Sequence, residues 1–362
     1  MGSSRQGVPD SCLRAVLPSE NPPPVTYPYR AYGLTIGCDT PISALRLEHT
    51  DLERYDIIVS LGPEADWVRE ARRLPPHLEH PRPGEVERDD SPFTLTSYGA
   101  GEFFALSYGN EARFFVDGAA ERIWGTCLPP FTNEDVATYL LGPVMGFVLR
   151  RRSILALHAS AVCIGGQAVA LCGESQAGKS TTAAALALRG IPVLCEDITP
   201  LIEEHGRFQV EPGYPRVCLW PDAVEKLLGA QDALPRLTPS WEKFFLPLDG
   251  GNAKFEGQRR VVSAVYHFAP RVAQADAPRI EAMSAREALL NLVQNTYMNW
   301  LLDRRQRAAE FDALSKFVAQ VPIRRIVPHV DPGRIGALCE LIVADVERLS
   351  AAYGSAAGIS AR

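Results

Sequence analysis

The stretch that decides the fold is residues 157–202, LHASAVCIGGQAVALCGESQAGKSTTAAALALRGIPVLCEDITPLI. Its centre, GESQAGKS, fits G-x-x-x-x-G-K-[ST], the pattern of a loop whose backbone N–H groups hold a phosphate. A strand-like apolar run precedes the loop and an alanine-rich run with helical spacing follows it, which is the context that the pattern requires. We therefore predict an α/β unit that binds the phosphates of a nucleotide.

Each residue type in this loop has its own task. Gly173 and Gly178 let the backbone wrap around a phosphate. Lys179 neutralises the outer phosphate oxygens, and Ser180 offers a hydroxyl to Mg²⁺. The helix that starts after the loop adds the positive end of its dipole. The predicted nucleotide-binding residues run from the first glycine into the helix: Gly173, Glu174, Ser175, Gln176, Ala177, Gly178, Lys179, Ser180 and Thr181.

Two acids, Glu196 and Asp197, end the strand-like run that follows the helix of the loop. Ligands of α/β sheets gather at the carboxyl ends of the strands, so both side chains are predicted to reach the phosphates. One acid can hold Mg²⁺ while the other takes a proton from an attacking hydroxyl. The pattern alone does not decide which acid has which role, and it also allows a helix cap or a solvated loop pair.

A histidine precedes the loop by one strand-like segment. If Gly165-Gly166 forms a two-residue hairpin turn, the two strands pair so that His158 stands opposite Gly173. We expect His158 to lie beside the phosphate site, where it can orient an acid or contact a phosphate. A histidine that is satisfied within the core is the alternative.

The composition is that of a globular protein: 46% of the 362 residues are hydrophobic and 22% are charged. A net charge of −6 argues against a nucleic-acid partner, which would favour a basic face. No apolar run is long enough to cross a bilayer, and the N-terminus lacks a signal-peptide pattern. The eight cysteines contain no C-x-x-C pair, which favours a reduced chain in the cytoplasm.

The chain divides into four parts by pattern. Residues 1–28 are polar and proline-rich and are predicted to form a flexible lead-in. Residues 29–150 are predicted to form a β-rich domain, in which GAG, GN and DG turn signals indicate a meander of strands and the proline-rich residues 80–92 an exposed loop. This domain ends in a linking helix, with a break predicted at Gly142-Pro143. Residues 151–352 are the predicted phosphate-loop domain, including one long helical run after residue 284, and 353–362 a flexible tail.

The block 157–201 resembles the catalytic core of the bacterial HPr kinase/phosphorylase family, whose fold relatives are the phosphoenolpyruvate carboxykinases. In that family a histidine precedes the loop by one hairpin and an Asp-Asp pair ends the next strand. The resemblance implies an α/β kinase fold. It also implies that His158 is the family's histidine, Glu196 its general base, and Asp197 the acid that holds the metal together with Ser180.

Farther on, PGYPRVCLWPDAVEKL, WEKFFLPL, LVQNTYMNWLLD and VPIRRI resemble HPr-kinase-related proteins encoded beside biosynthetic gene clusters. Some of these phosphorylate a serine of a ribosomally made precursor peptide, including lasso peptides. The LEIRG-like signature of true HPr kinases is missing. Arg216, in YPRV, is expected at the corresponding arginine's place as a phosphate or transition-state contact, with a surface arginine as the alternative. Lys243 is a weaker candidate for this contact, and Asn295 is expected to serve packing or helix capping.

These patterns predict a Mg²⁺-dependent kinase that moves the γ-phosphoryl group of ATP to a serine of a peptide or small protein. Lys179 holds the phosphates and His158 supports the base. The alternatives are a kinase of small metabolites and a nucleotide-binding regulator without catalysis. The resemblance also implies a homo-oligomer, because true HPr kinases assemble as hexamers.

Overall fold

The computed structural model describes residues 27–48, 54–80 and 93–359. The predicted lead-in lies outside these residues except for its last two positions, and most of a proline-rich loop predicted at 80–92 lies outside them as well. No helix in the described ranges is both long and apolar enough to cross a membrane. The described fold is mixed α/β, as the sequence predicts.

The first half of the chain forms an eight-stranded sheet in the order β1-β2-β3-β8-β7-β6-β5-β4. Strands β5 to β8 form the predicted antiparallel meander, and β3 lies parallel to both β2 and β8. The turns of the meander coincide with the GAG, GN and DG signals. The strands are β1 Tyr27–Ala31, β2 Leu34–Cys38, β3 Ile57–Ser60, β4 Pro76–His80, β5 Phe93–Tyr98, β6 Phe103–Tyr108, β7 Ala112–Asp117 and β8 Arg122–Thr126.

A broken helix links this sheet to the second half. The link consists of α2 at Asn133–Tyr139 and α3 at Met145–Arg151, whereas the short helix α1 at Asp66–Ala71 lies earlier in the chain, between β3 and β4. A π-helical turn over Leu140–Val144 separates them, and Gly142 has a non-helical backbone there, which confirms the predicted break.

The second half is built on a further sheet in the order β10-β9-β12-β13-β18-β20-β19. Because β10 also pairs with β18, five of these strands close into a ring of pairings. The strands are β9 Leu155–Ile164, β10 Gln167–Gly173, β11 Val193–Cys195, β12 Ile198–Glu204, β13 Arg207–Val210, β14 Arg216–Leu219, β15 Phe244–Pro247, β16 Asp249–Gly250, β17 Ala253–Lys254, β18 Arg260–Phe268, β19 Arg279–Ala282 and β20 Ile323–Val327. The helices are α4 Lys179–Leu188, α5 Pro221–Leu228, α6 Ala285–Gln294, α7 Arg304–Gln320 and α8 Ile335–Ile359.

The hairpin that leads into the phosphate loop has the predicted register. Gln167 pairs with Ile164, and the pairing continues to Cys172 opposite Ala159. Gly165 and Gly166 both have positive φ, as a two-residue turn of type I′ requires. His158 and Gly173 therefore stand one position beyond the last pair, side by side at the end of the hairpin.

The long helical run predicted after residue 284 is broken, and this prediction was wrong. Helix α6 ends at Gln294, and α7 begins at Arg304 with Asp303 as its N-cap. Between them the backbone is drawn into the sheet: His158 donates to the carbonyl of Asn295, and Tyr297 donates to the carbonyl of Ala156. These sheet bonds replace the i→i−4 bonds that a continuous helix would need.

The two halves share one core. Tyr297, Ala156 and Ile198 of the second half belong to the same buried cluster as the apolar face of the first sheet. Tyr32 joins the halves as well, since its amide donates to the carbonyl of Pro212 at 2.7 Å. The predicted boundary at residue 150 falls at the end of α3, and the predicted tail begins inside α8, which extends to Ile359.

Candidate active site

The phosphate loop connects the end of β10 to the start of α4, as the motif requires. Gly173 has φ +142°, and a Cβ there would lie 3.1 Å from the Cβ of Phe268. Gly178 has φ +109°, with an Nη2 of Arg271 2.9 Å from the position of a Cβ. Both positions therefore favour glycine for backbone conformation, and Gly173 also for space, because its neighbours are the Cβ and backbone of Phe268, whereas the Arg271 side chain can move away from Gly178. Arg271 itself donates to the carbonyls of Gln176 and Ala177 at the outer side of the loop.

Lys179 is the first residue of α4 and is buried. Its Nζ donates to the carbonyls of Gly173 at 2.8 Å and Glu174 at 3.0 Å, so the side chain lies folded over the loop. Burial lowers the pKa of this amine, while the acid Asp197 opposes the shift. A nucleotide phosphate would replace the two carbonyls as the partner of the ammonium group.

Ser180 and Glu196 form what we call the buried pair. The Ser180 hydroxyl donates to Oε1 of Glu196 at 2.7 Å, and Glu196 is only 8% exposed. Burial, and secondly the charge of Asp197, raise the pKa of the Glu196 carboxyl to about 7. The pair offers a hydroxyl and a carboxylate at the mouth of the phosphate loop.

His158, Asp197 and Tyr297 form what we call the open cluster. Oδ1 of Asp197 lies 3.7 Å from Nδ1 of His158, and Oδ2 accepts a hydrogen bond from the Tyr297 hydroxyl at 3.3 Å. The side chains of His158 and Asp197 are 38% and 39% exposed, so both can meet a second substrate. Burial lowers the pKa of His158 despite the opposing charge of Asp197, which makes the imidazole neutral at neutral pH.

The contacts exchange the partners that the resemblance implied. Ser180 was expected beside Asp197 and His158 beside Glu196, whereas Ser180 contacts Glu196 and His158 faces Asp197. The backbone gives the reason. Asp197 has φ +66°, a left-handed conformation that is strained for a residue other than glycine, and it turns the two neighbouring carboxylates apart.

Asn295 and Tyr297 belong to this site, and sequence reasoning missed both roles. Oδ1 of Asn295 accepts a hydrogen bond from the amide of Gly173 at 3.1 Å, while its carbonyl accepts from the amide of His158 at 2.7 Å. It also caps the end of α6, so the expected capping role is present too. The signal was the run NTYMNW, which lacks the apolar period of the helices on either side.

The two cations suggested by sequence differ in position. Arg216 stacks on the ring of Phe245 at 4.1 Å and donates to the hydroxyl of Ser43 at 3.4 Å, contacts that do not include the loop or the acids. Lys243 lies over the ring of Trp220 at 4.8 Å and close enough to Glu196 to lower the pKa of its carboxyl. Lys243 is thus the one of the two that acts on the charge of the site.

The donor set fits a magnesium ion. Mg²⁺ prefers oxygen ligands and usually takes one or two from the protein, with phosphates and waters as the others. Ser180 and Glu196 offer two oxygens 2.7 Å apart, next to the loop that would hold the phosphates. Among the described residues, no three His, Cys, Asp or Glu side chains lie together as a metal cluster.

Comparison with known proteins finds matches among solved structures but none among family models or curated proteins. No family model matches the chain, and no curated protein matches it. Among solved structures, the HPr(Ser) kinase/phosphatase from Coxiella burnetii matches 56% of this chain and 97% of its own, at 16% identity and a TM-score of 0.31. The likeness in fold is distant, and we draw nothing about function from it.

Proposed function

We propose that this protein is a Mg²⁺-dependent kinase that transfers the γ-phosphoryl group of ATP to a hydroxyl, with a serine of a peptide or small protein as the acceptor. One observation carries the proposal. A buried pair of oxygens and an open acid–histidine cluster meet at the mouth of one phosphate loop, and the two acids are consecutive residues. A phosphotransferase needs both a metal side and an acceptor side around one phosphate.

The buried pair is the proposed metal side. The loop backbone and Lys179 hold the phosphates, and Ser180 and Glu196 hold the ion. Mg²⁺, when bound, neutralises charge on the phosphate oxygens. A cation beside Glu196 also favours the ionised carboxylate, which burial otherwise opposes.

The open cluster is the proposed acceptor side. Asp197 takes the proton of the acceptor hydroxyl while the hydroxyl oxygen forms a bond to the γ-phosphorus. The bond between the γ-phosphorus and the β–γ bridging oxygen breaks, and ADP leaves. His158, neutral at neutral pH, lies beside Asp197 and orients it. Exposure supports this assignment, because a base must reach an acceptor that arrives from solvent, and Glu196 is closed off.

The acceptor class rests on the resemblance of four stretches between residues 212 and 326 to HPr-kinase-related proteins encoded beside biosynthetic gene clusters, some of which phosphorylate a peptide serine. A peptide or small protein is therefore proposed ahead of a free metabolite. The seven cysteines in the described residues are all free thiols, and the reducing cytoplasm is proposed as the compartment.

The test is transfer from γ-labelled ATP with Mg²⁺ to a panel of serine peptides, including any short reading frame beside the gene. Lys179→Ala is run against Lys226→Ala, which removes an exposed lysine of α5. We expect transfer to one peptide, lost on the order of 10²- to 10³-fold in Lys179→Ala and unchanged in the control. Transfer to free sugars or hydroxy acids with no peptide dependence would indicate a metabolite kinase. Equal transfer by both variants would refute the proposed site.

A further inference from the structure

Tyr297 stands where the linking helix meets the candidate site. It lies in the segment between α6 and α7 and is only 8% exposed. Its backbone is held at both polar groups: the amide donates to the carbonyl of Ala156 at 2.8 Å, and the carbonyl accepts from Nε of Arg150. Arg150 belongs to α3 and is itself buried and paired with Glu310.

The ring of Tyr297 is packed directly on the linking helix. A Cβ added to Gly146 of α3 would lie 2.1 Å from Cε1 of Tyr297 and 2.6 Å from Cδ1. Real side-chain atoms do not approach so closely, so α3 touches the ring through the bare backbone of a glycine. Any movement of α3 at this point therefore displaces the ring.

The other face of the same side chain reaches the open cluster. The hydroxyl donates to Oδ2 of Asp197 at 3.3 Å. The ring is nearly parallel to the imidazole of His158, with 12° between the planes and 5.8 Å between the centroids. One buried side chain thus contacts the linking helix, the acid and the histidine.

We propose that Tyr297 is a positioning residue through which the linking helix sets the position of Asp197 and His158, so that a shift of α3 changes the activity of the site. This rests on the proposed function for its kinetic part. The physical basis is a chain of direct contacts, from Gly146 through the ring to the hydroxyl bond on Asp197. Residues of the first sheet share a buried core with α2 and α3, so a rearrangement of that sheet would reach the site through this contact.

Four single variants and one double variant of the full chain test the link, and Tyr297→Ala alone is the background against which the double variant is compared. Tyr297→Phe keeps the ring and removes the hydrogen bond, and Gly146→Ala displaces the ring. Gly250→Ala is the matched control, because it lies in β16 away from the linking helix, is exposed, and a Cβ there meets no atom within 4 Å. Gly146→Ala combined with Tyr297→Ala restores the space that the new methyl group needs.

For transfer, we expect kcat to fall about threefold to tenfold in Tyr297→Phe, the effect of one hydrogen bond. We expect a loss on the order of tenfold or more in Gly146→Ala and little change in Gly250→Ala, with ATP binding unchanged throughout. In the Tyr297→Ala background, Gly146→Ala should cost nothing further. Wild-type rates in both Tyr297→Phe and Gly146→Ala, or full additivity in the double variant, would overturn the link.

A second readout does not depend on activity. With ¹³C-labelled histidine, the ring resonance of His158, identified by its loss in His158→Gln, reports the position of the stacked tyrosine. We expect this resonance to move in Gly146→Ala and to stay in Gly250→Ala. A protein that transfers no phosphate but shows this shift would contradict the proposed function and support the link. A resonance that stays in both variants contradicts the link.

Discussion

The buried pair and the open cluster are neighbours in the chain but opposite in environment. Glu196 is 8% exposed and bonded to Ser180, whereas Asp197 is 39% exposed on its side chain and faces His158 and Tyr297. The difference follows from the left-handed backbone conformation of Asp197, whose φ of +66° turns its carboxylate away from that of Glu196. Two acids of similar chemistry thereby have different environments, one buried and one accessible to solvent, and the proposed function assigns them different tasks on that basis.

The largest effect should come from Asp197. Replacing it by Asn keeps the shape and removes the proposed base, so kcat should fall roughly 10²- to 10⁴-fold at saturating MgATP. Asp312→Asn, at an exposed position of α7, is the matched control and should be unchanged. The proposed roles of the two acids would be refuted if kcat of Glu196→Gln fell this far at every Mg²⁺ concentration while Asp197→Asn remained active.

The next effect is on stability and separates the two sides without any substrate. Folded Glu196 keeps its proton up to a pKa of about 7, whereas the unfolded carboxyl releases it near 4.5. The native state therefore binds more protons between these values, and the free energy of unfolding falls as pH rises through them. As pH rises through this range, the free energy of unfolding of metal-free wild type should fall by up to about 3 kcal/mol relative to that of Glu196→Gln.

Urea unfolding at a series of pH values between about 5 and 8, with a chelator present, measures this difference. The control is Glu203→Gln, a carboxyl with no such burial. Parallel curves for wild type and Glu196→Gln would mean that Glu196 is not held in a dry environment.

A smaller effect concerns the metal. If the buried pair holds Mg²⁺, Glu196→Gln should raise the Mg²⁺ concentration for half-maximal transfer about tenfold or more, because a neutral amide is a weaker ligand. Activity should return in large part at high Mg²⁺, whereas that of Asp197→Asn should not. A titration of activity with Mg²⁺ in both variants makes the measurement, and the same half-maximal concentration in Glu196→Gln and wild type contradicts the metal side.

The smallest effect is predicted for Arg216. Its guanidinium packs on Phe245 and reaches Ser43, so Arg216→Ala should change kcat by less than about threefold, with a modest loss of stability. Lys243→Ala, beside Glu196, should have the larger effect on kcat. Steady-state kinetics of the two variants side by side test the order, and a larger loss in Arg216→Ala reverses it.

Much of the fold around the GESQAGKS loop could be predicted from sequence because its signals are local. The two-glycine turn set the register of β9 and β10, and the position of His158 beside Gly173 followed from it. The break at Gly142-Pro143 and the meander of the first sheet also follow from residues close in the chain. The contact partner of each acid could not be predicted in this way, since nothing in the sequence Glu196-Asp197 indicates that Asp197 has a positive φ.

By itself, the sequence determined the position of the GESQAGKS loop, its flanking strand and helix, and the hairpin that leads into it. Glycine conformations, turn length and the period of apolar residues act over a few neighbouring positions, so they can be seen in one short stretch. Only the tertiary structure decided that residues 295–297 leave their helix to join the sheet and that Tyr297 connects α3 to Asp197. Those contacts join residues about 100 to 150 positions apart, and they depend on how the two halves of the chain pack, which no local pattern encodes.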